Sequence, residues 1–165
     1  MVHFDVNDKE DRHQKLRAGK ADLVVIRKEH LSREMQAKRL CPEEYVLVCT
    51  PDWKGRKLKE IVRNEHIIDF DVSDDITHQY LKRYDLFEHA VSSRYFVNRT
   101  ENIAYLVQQG LGYTTLTKEF AKEYVNRGEL IVLNQAKPFE LVHYLAWFDR
   151  TKLPVYLSDL LDTIH

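Results

Sequence analysis

Apolar and polar positions along this chain follow two alternating rhythms. Val2, Phe4 and Val6 interleave with His3 and Asp5, the period of a half-buried strand. Asn7, with Glu10 three residues on, predicts a helix start, and Gly19 stands where a helix end favours a left-handed residue. Leu23-Val24-Val25-Ile26 predicts a strand buried on both faces, and Tyr45 to Cys49 a second one. A short helix is expected around Leu58, Ile61 and Val62, then a strand at Ile67-Ile68. Asp74 begins another helix, with Ile76, Tyr80 and Tyr84 on one face. A strand at Tyr95-Phe96-Val97 leads to Asn98 and Glu101, which open a helix carrying Ile103, Leu106 and Val107 up to Gly110. Then come a strand at Tyr113 to Leu116, a helix from Thr117 to Val125, a strand at Leu130 to Leu133 and one long strand from Leu141 to Phe148. Pro154 fits the first turn of a closing helix whose Leu157, Leu160, Leu161 and Ile164 share a face. Strand–helix–strand throughout predicts an α/β fold with mostly parallel sheet, whose ligands sit beyond strand carboxyl ends and against helix N-termini.

Composition narrows the function classes. The formal net charge is −1, whereas phosphate recognition needs a clustered excess of Lys and Arg, so this chain alone is not expected to bind DNA. No apolar run approaches the roughly 20 residues that span a bilayer, and the start has neither the basic nor the apolar stretch of a secretion signal. Cys41 and Cys49 show no metal or redox spacing. A cytoplasmic chain without membrane partners is the expectation.

The short motifs divide between capping and chemistry. Asp69-Phe70-Asp71 after an Ile-Ile strand has the outline of a phosphatase nucleophile loop, but the C-terminal half offers no acidic loop to hold magnesium. A calcium loop starting at Asp69 fails because Asp74 stands where glycine is needed. The acids from Asp69 to Asp75 fit the first turn of a helix, where carboxylates accept free N–H groups; at a strand's carboxyl end they also suit a ligand's ammonium or guanidinium. The 8 His residues are scattered and no His-x-x-x-His pair occurs, so no metal site is expected. No Ser, Cys or Lys has a nucleophile context, Gly110-Leu111-Gly112 is too short for a phosphate loop, and Asn98-Arg99-Thr100 reads as a helix start. No catalytic residues and no cofactor are expected.

Several stretches, in order, resemble the regulatory domain of LysR-type transcriptional regulators. They are Gly19-Lys20-Ala21-Asp22-Leu23 with the strand after it, Glu43 to Pro51, Asn102 to Tyr113 and Gly128 to Leu133. Asp74-Asp75, His78-Gln79, Leu81 and Thr50-Pro51-Asp52 are most similar to the branch that senses lysine or arginine. The resemblance implies two Rossmann-like subdomains of type-2 periplasmic-binding-protein topology joined by crossing strands. Residues 1–51 with 138–165 would form subdomain I, and 52–137 subdomain II. The chain departs from the pattern in lacking the DNA-binding region and in starting at the second strand of the regulatory domain, so subdomain I is expected to be incomplete and its sheet rearranged. Leu116-Thr117 also stands where a Pro is common.

What the resemblance implies for function is a sensor rather than an enzyme. A small polar metabolite, an amino acid by preference, would bind between the subdomains and shift a homodimer or homotetramer on DNA held by a winged helix-turn-helix absent from this chain. Candidate effector contacts are Asp69, Asp71 and Ser73 at one strand end, Asn98, Arg99 and Thr100 at a helix N-terminus, Thr114 and Thr115 nearby, and Arg27 from the first lobe. A type-2 solute-binding protein and a stand-alone dimerising remnant of a regulator are the alternatives.

Overall fold

The structure, a computed structural model, describes residues 9–148 and 155–164. The strand expected at residues 2–6, the cap at Asn7 and the helix-initiating Pro154 lie outside them. The chain divides into two compact units, Met1–Glu43 with Leu141–His165 and Glu44–Glu140.

The first unit holds α1 (Lys9–Arg17), β1 (Val24–Arg27) and β2 (Met35–Arg39), and the later β9 (His143–Phe148) and α6 (Val155–Thr163). Its sheet runs β1-β9-β2, with β9 antiparallel to both neighbours. Leu16 of α1 packs with Val24, Ile26 and Ala146, while Leu157 and Leu161 of α6 pack with Leu145. Successive residues of β9 thus bury opposite faces, as the period of 2 requires. β1 is not buried on both faces: Val25, paired with Leu145, stays 40% exposed because it lies one strand beyond the Leu145 that α6 covers. The strand β2 was not expected. Only Met35 and Ala37 alternate there with polar residues, too short a pattern to mark a strand by itself, and β9 offers it a ladder.

The second unit contains β3 (Glu43–Cys49), α2 (Leu58–Asn64), β4 (Ile67–Asp69), α3 (Ile76–Arg83), β5 (Arg94–Phe96), α4 (Thr100–Gln108), β6 (Thr114–Thr117), α5 (Lys118–Asn126), β7 (Ile131–Val132) and β8 (Phe139–Leu141). β3 pairs with β6 and β7, both antiparallel, and with β8. β4 and β5 are parallel, and an Ile67–Tyr113 parallel bridge sets β4 beside β6. Val46 and Val48 join a core with Ile103, Ala104 and Val107 of α4, and Leu47 and Cys49 one with Ile61, Val62, Tyr80 and Leu81 of α2 and α3. Here the continuous apolar run does mean burial on both faces.

The mostly parallel sheet is corrected as well. β3 and β9 each lie antiparallel to strands on both sides, leaving parallel pairing to β4–β5 and the Ile67–Tyr113 bridge. Strand–helix–strand alternation reports the order of elements, and strand direction depends on which distant strand enters between neighbours. The long strand expected from Leu141 to Phe148 is interrupted at Val142, because β8 pairs with β3 whereas β9 sits between β1 and β2. Nor does Asn98 cap α4. The chain stays extended through Val97, whose N–H bonds Asp69 O at 3.0 Å, and Arg99 takes the cap position.

Glycine is required at two points. Gly110 ends α4 at φ +75°, with its own N–H and that of Leu111 returning to Val107 O and Leu106 O, a closure that needs a left-handed residue. At Gly112 a Cβ would lie 2.4 Å from His66 O, so β4 and the entry to β6 approach closely only because no side chain intervenes.

Candidate functional site

An open concavity of about 360 Å³ lies on the second unit. Thr114, Thr115, Leu116 and Thr117 of β6 line one side. Three helices present their beginnings to it: Ile76 of α3, Thr100 and Glu101 of α4, and Thr117 at the N-cap of α5. Tyr45, Phe70, Ile103 and Phe120 supply apolar surface, and Asp74 a carboxylate. Helix N-termini carry unpaired N–H groups and partial positive charge, which suits a bound carboxylate. The three are not equivalent. Asp74 Oδ1 accepts the Ile76 N–H at 3.2 Å, and Thr117 Oγ1 accepts that of Phe120 at 3.4 Å. Arg99, at the N-cap of α4, makes no such side-chain bond.

Of the residues expected from sequence, Thr100, Thr114 and Thr115 meet in this concavity. Asp69 does not line it; it is 1% exposed, with Oδ2 accepting from Arg94 Nη1 at 2.9 Å. Asp71 and Ser73 form a turn of their own: Asp71 Oδ1 accepts from Ser73 N and Oγ, both at 2.6 Å, and from Asp74 N at 3.0 Å. Neither lines the concavity, nor do the exposed Asn98 and Arg99. Arg27 ends β1 of the first unit, 8% exposed, with Nη1 3.7 Å from Glu29 Oε1.

Sequence reasoning missed Arg94, Thr77 and the wall position of Asp74. Arg94 Nη1 donates also to Asp74 O at 2.8 Å and Nη2 to Val72 O at 3.1 Å, and its guanidinium lies 4.9 Å over Phe96. It therefore straps the β4–α3 loop to β5. Thr77 and Thr115 share a hydroxyl–hydroxyl bond of 3.0 Å. A lone Arg before an aromatic pair gives no such signal, since its partner Asp69 is 25 residues away and arrives only through the β4–β5 register.

Burial pushes the Asp69 carboxyl up to about 6; the Arg94 hydrogen bond and charge and the nearby Thr77 hydroxyl oppose the rise, and the charge of Asp74 adds to it. Burial, seconded by the charges of Arg94 and Lys82, lowers the His78 imidazole, with Asp75 and Asp74 pulling the other way. Among the described residues no cluster of His, Cys, Asp or Glu is suited to a metal ion, and no helix is long and apolar enough to cross a membrane.

The family model for the LysR substrate binding domain matches residues 2–165. The chain belongs to the LysR substrate binding domain family. Solved structures share its fold at low identity. ArgP from Mycobacterium tuberculosis is 15% identical with a TM-score of 0.81, over 96% of this chain and 55% of that one. The CcmR regulatory domain of Synechocystis in complex with 2-PG is 17% identical with a TM-score of 0.77, over 98% and 80%. Full-length LysG from Corynebacterium glutamicum with bound effector Arg is 20% identical with a TM-score of 0.67, over 96% and 55%. The chain thus spans about half the length of the LysG and ArgP chains. No curated protein matches it in sequence.

Proposed function

We propose that this LysR-family chain is the effector-sensing part of a transcriptional regulator, and that the concavity of its second unit takes a small zwitterionic amino acid. One observation carries the choice of ligand: an α4 N-terminus without a side-chain cap from Arg99 and the hydroxyl-bearing edge of β6 share a cavity with the Asp74 carboxylate. The first two suit a carboxylate and the last an ammonium or guanidinium. Asp74 replaces Asp71 and Ser73 as the preferred contact at this strand end, because it lines the concavity and those two do not. That LysG holds Arg as effector makes a basic amino acid the first to try. The domain works without catalysis, in the cytoplasm, as part of a homodimer or homotetramer whose DNA contacts are made by a winged helix elsewhere in the regulator.

Calorimetry of a full-length regulator carrying this domain, against lysine, arginine, aromatic acids and sugars, tests the reading. Saturable heat with lysine or arginine is the expected result. Silence from both, with binding of a sugar or an aromatic acid, overturns it.

A further inference from the structure

The two carboxylate oxygens of Asp69 meet different surroundings. Oδ2 holds Arg94, while Oδ1 is buried with no hydrogen-bond partner among the described residues. Tyr113 Oη is buried and unpartnered too, and the charge of Asp69, after burial itself, pushes that phenol upward, so the two groups lie within each other's field. Through Arg94 the same carboxylate fastens the carbonyls of Val72 and Asp74 to β5. Asp74 closes that loop by accepting the Phe70 and Ile76 N–H groups, each at 3.2 Å, and forms a wall of the concavity. On the other side Asp69 neighbours the Thr77 hydroxyl, which bonds the Thr115 hydroxyl and accepts the Thr115 N–H at 3.2 Å.

We propose that Asp69 is the positioning residue of the concavity: through Arg94 it holds the Asp74 wall, and a proton taken up on it loosens that wall and weakens effector binding. The binding half rests on the functional reading above, and the loop half stands without it. Neutralising Asp69 removes the charge from the Arg94 bond, and charge-assisted bonds are roughly twice as strong as neutral ones. The carboxyl, held at about 6 by burial, changes state close to neutral pH. The charged and titratable groups around it are Arg94 on β5, Asp74 on the loop, Tyr113 before β6 and, facing Arg94 from α3, His78.

Amide hydrogen exchange of the full chain, corrected for intrinsic rates and followed from about pH 8 to about pH 5, reads the loop directly. Protection at Ser73, Asp74 and Ile76 is expected to fall by about tenfold as Asp69 takes its proton. Asp69→Asn flattens that profile. Arg94→Lys, which keeps a cation but loses the fork, leaves the loop weakly protected at every pH. His78→Asn retains the wild-type profile. A flat wild-type profile, a wild-type profile in Asp69→Asn, or its loss in His78→Asn each overturns the proposal. Titrations with L-arginine and L-lysine at both ends of the range complete the test. Affinity is expected to fall with pH in wild type and to stay level in Asp69→Asn, while pH-independent wild-type affinity overturns the coupling. If neither amino acid binds but the loop profile holds, the effector reading fails and the positioning role of Asp69 stands.

Discussion

Thr77 and Thr115 tie α3 to β6: their hydroxyl oxygens lie 3.0 Å apart, and the Thr115 N–H donates to the same Thr77 oxygen at 3.2 Å. Both residues are buried, at 1% and 8% exposure, so water does not replace this acceptor easily. Thr77→Val keeps the shape and leaves the Thr115 N–H and hydroxyl without that oxygen. The expected loss is about 1–3 kcal/mol of stability, with Thr77→Ser restoring most of it. Urea midpoints of the two variants at equal slope check this.

Asp69 makes stability fall as pH rises. Its folded value of about 6 lies above the ordinary 3.8, so the folded state binds the proton more tightly than the unfolded chain does. That stabilisation is fully present below about pH 4 and is lost as pH rises through about 6, by an amount on the order of 3 kcal/mol. Asp69→Asn should therefore match wild type at low pH and exceed it above neutrality. A stability difference that does not change with pH would refute the assignment. The proton that loosens the Arg94 strap also relieves a buried charge, so local and global stability move in opposite directions.

Gly112→Ala should be among the more damaging small substitutions. The new methyl meets a backbone oxygen at 2.4 Å and Ile68 Cγ1 at 2.8 Å, and β4 must move to admit it. A loss of about 1–3 kcal/mol is expected from such overpacking. Gly19→Ala, where nothing lies within 4 Å of the added Cβ but φ is +65°, should lose only about 1 kcal/mol. Parallel thermal or urea melts rank the pair.

Tyr113→Phe should leave stability intact despite full burial of the side chain. No described group hydrogen-bonds the phenol, so deleting the hydroxyl breaks no protein–protein bond. A large loss on denaturant titration would mean that the hydroxyl has a partner after all.

Asp74→Asn should weaken a basic amino acid by about tenfold, the size of one modest ionic contact, while changing a neutral zwitterion less. The helix start also weakens, since Asn has one oxygen where Asp74 uses two to accept the Phe70 and Ile76 N–H groups. Competition calorimetry between arginine and a neutral amino acid, on variants shown to be folded by circular dichroism, separates the two effects.

Periodicity carried the local structure well because it reflects burial of each element against a neighbour. The apolar run at Tyr45 to Cys49 and Leu157 with Leu161 in α6 behave as their spacing demands, whereas α3 buries Thr77, Tyr80 and Leu81 and leaves Ile76 lining the concavity. Thr100, Thr114 and Thr115 were also legible as site candidates, since a helix start and a strand end are local features, and the structure sets them in one concavity. Arg94 was not legible. Nothing in its own neighbourhood announces a partner 25 residues back.

By itself, then, the sequence determined the order of most elements, the α/β class and the likeness to LysR-type regulatory domains. All three rest on short-range spacing and on residue order. Only the tertiary structure decided strand direction, the exposure of Val25, the existence of β2 and the strap of Arg94 on Asp69. Those depend on which distant strand lies alongside and in what register. A one-residue shift there redirects every side chain while leaving the local pattern unchanged.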